Sequence, residues 1–246
     1  MTGANNLGQH EYKIMIEPKL SVVIPVYNES RTLREVLGLI FTSLPEVHEV
    51  VAVDDGSKDN SRDILTEHAR TEPRLKVIFH QVNGGKTAAL RTGIAATTGN
   101  VVIIQDADLE YDPKDIHKLL NEFRTKEVDA VYGSRFMNRG LQGSHYNQHY
   151  IANKTLTFLS NLCNGLRLTD VETCYKAIKG DLIRAMPIHS KRFGFEIEVT
   201  AYLAKKKAVV VEQPVSYAGR SYSEGKKIGL KDGLMAIGYI FKFNLF

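Results

Sequence analysis

Apolar and polar positions alternate along this chain in two registers. Nearly continuous apolar runs, LSVVIPV (20–26), EVVAVDD (49–55), LKVIFH (75–80), NVVIIQD (100–106) and DAVYGS (129–134), read as strands. Short runs rich in Val and Ile and bounded by polar residues fit strands covered on both faces, hence a parallel arrangement. Between them, 30–43, 60–71, 86–98 and 113–124 carry helical spacing. A βαβ series with right-handed crossovers predicts an α/β fold with a doubly wound sheet flanked by helices.

The second half is less regular. Residues 150–166 show helical spacing at Ile151, Thr155, Leu159, Leu162 and Leu166. Stretches 171–179 and 208–217 read as strands, with a helix over 195–206 between them. No internal repeat, low-complexity tract or linker interrupts the pattern, so one domain with two lobes is expected. In doubly wound sheets, ligands bind outside the carboxyl ends of the strands. Asp54-Asp55 and Asp106-Ala107-Asp108 both stand at such ends.

Composition narrows the setting. The 246 residues are enough for a sizeable core, and 43% apolar with 24% charged residues is ordinary for a globular protein. A net charge of +4 permits an anionic partner but is too weak to argue for nucleic acid. Two distant cysteines, Cys163 and Cys174, point away from a disulfide framework and toward a reducing, cytoplasmic setting. The first 18 residues show no basic region followed by an apolar one and read as a flexible tail, and no stretch has the ~20 apolar residues of a membrane span.

The segment QDADLEYDP (105–113) places Asp106, Asp108, Glu110 and Asp112 at every second position. Asp112 precedes Pro113 with Asp115 three residues on, the pattern of a helix N-cap. Asp106 and Asp108 differ, because residues i and i+2 of an extended segment point the same way. Two carboxylates about 4 Å apart repel by ~4 kcal/mol at an effective dielectric of ~20. A divalent cation reverses the sign, and oxygen-only ligands suit Mg²⁺ or Mn²⁺. The alternative is two solvated acids at a strand end. An EF-hand is excluded by Tyr111 and His117, which stand where its glycine and closing glutamate belong.

Other motifs are ambiguous alone. Gly85-Lys86-Thr87 resembles the end of a phosphate-binding loop, but His80 occupies the position of the required first glycine. The glycines instead predict a tight turn opening a helix, whose N-terminus can face a phosphate. In VIPVYNES, Tyr27 could stack on a nucleobase, and in VDDGSKDNS, Asp55 could accept from a base N–H; both also suit caps or turns. His145 and His149 lack a third ligand and read as a polar loop, and Cys163 reads as core. In 229–246, Leu230, Leu234, Ile237, Phe241 and Leu245 form one apolar face with Lys231 and Lys242 off it. Such an amphipathic helix either lies in a headgroup region, helped by Lys226 and Lys227, or packs on the domain or an oligomer partner.

In order along the chain, VIPVYNE, VDDGSKDNS, N-G-G-K-x-x-A-L-R-x-G and QDADLE resemble family 2 glycosyltransferases of the GT-A fold, from about Lys19 to Lys227. GSRF (133–136) and Y-A-G-R-S-Y-S-E-G-K-K (217–227) resemble the dolichyl- or polyprenyl-phosphate branch, typified by dolichyl-phosphate mannosyltransferase. The resemblance implies a Rossmann-like mixed sheet, a nucleotide-binding lobe over 19–134, an acceptor lobe over 135–227 and the C-terminal helix over 228–246. It implies Pro25, Tyr27 and Glu29 around base and ribose, and Val53 and Asp55 around the base. Asp106 and Asp108, with Glu110 near them, would hold the metal and donor diphosphate, with Ala107 between them and Lys86 and Glu196 close by. Arg135 matches the arginine near an acceptor phosphate, and Arg220 and Lys226 match the basic residues over the donor phosphates.

The chain departs from the mannosyl pattern at three places. Glu110 replaces a glutamine, Glu196 in RFGFEIEV replaces a lysine, and TDVETCYK (169–176) replaces a Ser-Gly-Phe type segment. A UDP- or GDP-sugar donor therefore remains open. The implied reaction displaces a nucleoside diphosphate from the anomeric carbon with inversion, helped by a metal and basic groups on the leaving charge. A polyprenyl phosphate acceptor at a membrane's cytoplasmic face needs no base; a glycan or glycolipid hydroxyl does, and Asp170 is then the candidate. A non-catalytic sugar-nucleotide module is the remaining alternative, and a homo-oligomer or membrane partner protein is open.

Overall fold

Strand β1, Leu20–Val26, is buried along nearly its whole length, as its unbroken apolar run requires. In this computed structural model, which describes residues 16–137, 147–192, 194–219 and 230–245, β1 lies inside a sheet of seven strands. The others are β2 (Glu49–Asp54), β3 (Leu75–Phe79), β4 (Val101–Ile104), β5 (Ala130–Ser134), β6 (Lys176–Lys179) and β7 (Val210–Pro214). Their spatial order is β3-β2-β1-β4-β6-β5-β7. Strand β1 pairs in parallel with β2 on one side and β4 on the other. The topology therefore switches between β1 and β4, which opens a crevice at their carboxyl ends.

The sheet is mixed, as the family resemblance implies and the apolar runs alone did not. Strand β6 runs antiparallel to both β4 and β5, while β7 is parallel to β5. It is also shorter than the expected 171–179, because residues 171–175 form an irregular, largely buried segment leading into it.

Helices α1 (Leu33–Ser43), α2 (Ser61–Thr71), α3 (Lys86–Ala95) and α4 (Ile116–Thr125) fill the expected positions. Helix α1 buries Leu33, Val36, Leu37 and Ile40, a 3–4 spacing that matches one helical stripe. Helix α3 lies close on the sheet: a Cβ at Gly93 would sit 2.5 Å from Val23 Cγ1, so only glycine fits. A short turn, Pro113–Asp115, precedes α4, and Asp112 Oδ1 accepts the Lys114 amide at 3.0 Å, the cap read from the sequence.

Helices α5 (Asn147–Asn164), α6 (Gly180–Arg184), α7 (Phe195–Lys205) and α8 (Leu230–Leu245) follow. Leu156, Val171, Ile197, Ala236 and Ile240 form a second small core among α5, α7 and α8. The spacing read for α5 does not mark its buried face. Ile151 and Leu162 are exposed, while Leu156, Thr157 and Ser160 are buried. Cys163 is half-buried against this second core, and both cysteines are free. Helix α8 docks by Ala236 and Ile240, and Leu234, Phe241 and Leu245 stay exposed. No described helix is long and apolar enough to cross a membrane.

Candidate active site

The loops after β1 and β2 are stitched together by short polar side chains. The amide of Asn28, at φ 54°, donates to Ser57 Oγ, and the Lys58 amide donates to Asn28 Oδ1 at 2.8 Å. The amides of Glu29 and Ser30 donate to Ser61 Oγ and Asp59 Oδ2, both at 3.0 Å. Burial alone would raise the Asp59 carboxyl, but hydrogen bonds from Ser61 and Ser30 outweigh it and hold it at about 2. Pro25 and Glu29 are half-buried and Tyr27 is exposed, at and just past the carboxyl end of β1.

Asp55 is taken up by the glycine turn. Its Oδ2 accepts the Gly85 amide at 2.7 Å, the Gly84 amide reaches both oxygens, and His80 Nδ1 lies 2.7 Å from Oδ1. Gly85 has φ 87°, a backbone conformation that side chains disfavour, and it opens α3. The expected turn is present, but the Gly84 and Gly85 amides that precede α3 face the Asp55 carboxylate, and the Thr87 amide of α3 donates to the Arg192 carbonyl. Asp55 therefore anchors a loop, where the resemblance implied a contact to a base. Val53 is a plain correction: fully buried, it packs with Val51 and Ala89 beneath α3 and cannot touch a ligand.

Beyond β4, the acidic segment meets a built-in cation. Lys86 Nζ lies 2.9 Å from both Asp106 oxygens and 3.2 Å from Glu196 Oε1. Burial disfavours the Lys86 charge, but Asp106 and Glu196 outweigh that and raise its pKa well above the ordinary value. The distant residues Lys86, Asp106 and Glu196 thus share one spot. Thr32 Oγ1 donates to the carbonyl of Ala107 at 2.6 Å, tying this segment to the β1 loop, and the Ala107 side chain is buried.

The three expected metal ligands do not form one cluster. Asp108 Oδ1 accepts the Glu110 amide at 3.2 Å, and Glu110 Oε2 accepts the Tyr217 hydroxyl at 2.8 Å. Among the described residues no group of three or more His, Cys, Asp or Glu side chains is placed to hold a metal. Glu110 is instead part of a tyrosine wall: Tyr111 lies 4.7 Å from Tyr175 and 5.2 Å from Tyr217, ring centre to ring centre. The chain turns at Ala107 and Asp108, so the extended alignment expected of Asp106 and Asp108 does not hold; both still offer oxygen donors, the type Mg²⁺ or Mn²⁺ takes.

Arg135, just past β5, binds Asp170 by two parallel hydrogen bonds of 2.7 Å, and its guanidinium stacks over Tyr217 at 5.1 Å. Burial would lower the Arg135 pKa, but the Asp170 carboxylate outweighs this and keeps it well above the ordinary value. Asp170 is fully buried with both oxygens engaged, a poor arrangement for the base expected of it. The segment after Asp170 carries Glu172 and Lys176, which sequence reading missed because charged residues in an apolar segment read as exposed. Lys176 is buried and donates to the Thr173 carbonyl. Burial, then Glu196, pushes Glu172 up to about 7. Arg220, Lys226, His145 and His149 lie outside the residues whose side chains the structure describes.

Comparison with known proteins places this geometry. The description "Glycosyl transferase family 2" matches residues 21–185. An undecaprenyl-phosphate mannosyltransferase from Micrococcus luteus is 29% identical over 218 residues, covering 86% of this chain and 88% of that protein. The crystal structure of glucosyl-3-phosphoglycerate synthase from Mycobacterium tuberculosis with Mn²⁺, UDP and phosphoglyceric acid superposes with a TM-score of 0.70 at 19% identity. It covers 92% of this chain and 78% of that one. The same enzyme with Mg²⁺ and UDP gives 0.68 at 19% identity, covering 92% and 79%. At these identities the structures speak for the fold, which is GT-A.

Proposed function

The chain belongs to glycosyl transferase family 2, and on that premise we propose that it moves a sugar from a UDP- or GDP-sugar to a polyprenyl phosphate. The observation that carries this reading is the Arg135–Asp170 pair. A hydroxyl acceptor needs a general base, and the residue expected to serve is engaged by a guanidinium on both oxygens. A phosphate monoester, with a second pKa of about 6, is already anionic and needs only to be held. Arg135, fixed by Asp170, is the group that holds it. The Micrococcus luteus relative, named for undecaprenyl phosphate, supports the same acceptor class.

The donor lies in the crevice between β1 and β4. In this reading Tyr27, Pro25 and Glu29 serve its nucleotide end and Lys86 its phosphates, while Arg220 and Lys226 are candidates from the sequence resemblance alone. Asp106 and Asp108 are the residues that would hold a divalent ion, and Mn²⁺ or Mg²⁺ accompanies UDP in the structural neighbours. Such an ion supplies Lewis-acid stabilisation of charge on a diphosphate. Asp106 and Glu196 share one ammonium, Lys86, at 2.9 and 3.2 Å, a carboxylate-rich setting of the kind a divalent cation suits. In this reading lobe 19–134 carries most of the donor contacts, and lobe 135–227 carries the acceptor contact at Arg135 and reaches the donor end through Glu196. Phe158 and Leu162 on α5, with Leu234, Phe241 and Leu245 on α8, give an apolar outer face for a membrane surface.

The test is direct. Purified protein is incubated with labelled UDP- and GDP-sugars, Mn²⁺ or Mg²⁺, and undecaprenyl or dolichyl phosphate, beside glycan acceptors. A lipid-extractable product labile to mild acid supports the reading. Product formed only on glycan hydroxyls overturns it.

A further inference from the structure

Arg135, the group that holds the acceptor phosphate in the reading above, comes to that task already neutralised. Asp170 takes up two of the guanidinium's five N–H donors through bonds of 2.7 Å and offsets its charge. The remaining donors can hydrogen-bond to a phosphate oxygen, but the pair as a whole offers no net positive charge. A phosphate monoester brings about −1.5 to −2 at neutral pH. Set beside a neutral pair that includes a carboxylate, it is repelled unless another cation stands within reach.

Lys154, on α5, is such a cation, and several contacts bring it to the same place. Its Nζ stands 5.7 Å from the centre of the Phe136 ring, and the Arg135 guanidinium stands 5.3 Å from that centre. Tyr150, one turn earlier on α5, packs edge-on against Phe136 at 5.1 Å. Lys154 Nζ also reaches the carbonyl of Thr169 at 3.4 Å, so Lys154 and Arg135 engage consecutive residues, Thr169 and Asp170. Lys154 is half-buried and still meets solvent, and among the described residues it pairs with no carboxylate. Lys86, by contrast, is taken up by Asp106 and Glu196.

We infer that Lys154 is a second phosphate-binding residue for the acceptor, supplying the positive charge that Asp170 offsets on Arg135. This rests on the phosphate-acceptor reading and adds to it a residue outside every motif that carries the family resemblance. An ammonium is a compact point charge on a flexible stem, with three donors. One long contact to a carbonyl leaves most of that capacity for a phosphate oxygen. Arg135 then supplies directed N–H donors and Lys154 the net charge.

The experiment is a calorimetric titration with farnesyl phosphate and with farnesol, the same chain without the phosphate. UDP and GDP with Mn²⁺ serve as the control for the donor end. Two charge-assisted contacts, each of about tenfold or more, should make the native protein prefer the phosphate by at least about a hundredfold. Lys154→Met keeps an unbranched stem and should cut that preference about tenfold, with farnesol and nucleotide affinities unchanged. Lys154→Arg restores the charge and should recover most of the preference. A native protein with no preference for the phosphate removes the acceptor reading, and this inference with it. A strong native preference that Lys154→Met leaves intact overturns the inference alone. So does a Lys154→Met variant that weakens farnesol or nucleotide to the same degree, or a Lys154→Arg variant no better than Lys154→Met, since either marks a packing role.

Discussion

Arg135 and Asp170 are joined by a bidentate ion pair, Nε to Oδ2 and Nη2 to Oδ1, each at 2.7 Å, with the Arg135 amide adding a contact to Oδ2 at 3.1 Å. The pair is buried, Arg135 showing 10% and Asp170 0% side-chain exposure. Removing one partner leaves a buried charge uncompensated, which typically costs about 3–5 kcal/mol. Asp170→Asn is therefore expected to lower the melting temperature and to raise KM for the phosphate acceptor through a loosened Arg135. The shape of the pH–rate profile should not change. A lost acidic limb, with KM unchanged, would mark Asp170 as a base instead.

Asp55 holds the turn that opens α3, and this sets a second expectation. Its carboxylate collects the Gly84 and Gly85 amides and His80, in a side chain only 3% exposed. Charge-assisted hydrogen bonds are each worth about 1.5–3 kcal/mol. Asp55→Asn keeps the size but gives up the charge, and should cost on the order of 2–4 kcal/mol in denaturant unfolding. Because Lys86 starts the same helix, nucleotide-sugar affinity should fall with it. An unfolding midpoint equal to the native one would show that the turn forms without this anchor.

How far the sequence reaches can be seen residue by residue. Strands β1, β2 and β4 were legible because sheet strands covered on both faces must be apolar throughout, as Val22, Val50 and Ile103 are. Asp106 and Asp55 were found because the strand pattern places them at carboxyl ends. What stayed hidden depends on contacts distant in sequence. Nothing local says that Lys86 reaches Glu196, 110 residues away, or that Tyr217 closes on Glu110. Helix α5 misled because its buried side carries Thr157 and Ser160, which read as solvent-facing, while Phe158 and Leu162 point outward. Val53 misled because a motif position carries no information about which sheet face it takes, and a shift of one residue reverses it.

Divalent metal should change what Lys86 does. Its ammonium lies 2.9 Å from the Asp106 carboxylate. A metal held by Asp106 and Asp108 would compete for the same oxygens and leave Lys86 to the diphosphate. Chelation with EDTA is accordingly expected to weaken nucleotide-sugar binding, and Mn²⁺ or Mg²⁺ to restore it. Asp106→Asn should lower turnover by about 10²–10³ with bound donor, the usual cost of one preorganised charge-stabilising group. Equal donor affinity with and without EDTA would place the metal outside this site.

Glu172 makes stability depend on pH in a stated direction. Burial, then the charge of Glu196, raises its folded-state pKa from 4.5 to about 7. The folded protein therefore binds the Glu172 proton more tightly than the unfolded chain does. Below about 4.5 both states are protonated, and the neutral side chain is tolerated; as pH rises through 7 the folded state must accept a buried charge, and that stability is lost. Glu172→Gln removes the ionisation and keeps the shape. The variant is expected to gain on the native protein by on the order of 1–3 kcal/mol between pH 5 and pH 8, read as the difference of two urea unfolding curves at each pH. A gain of the same size at both values would mean that Glu172 does not titrate in this window. The neighbouring Lys176 would then be stabilising its charge fully. Lys176→Met provides the cross-check, since removing that cation from beside a still-ionised Glu172 should destabilise the protein more at pH 8 than at pH 5.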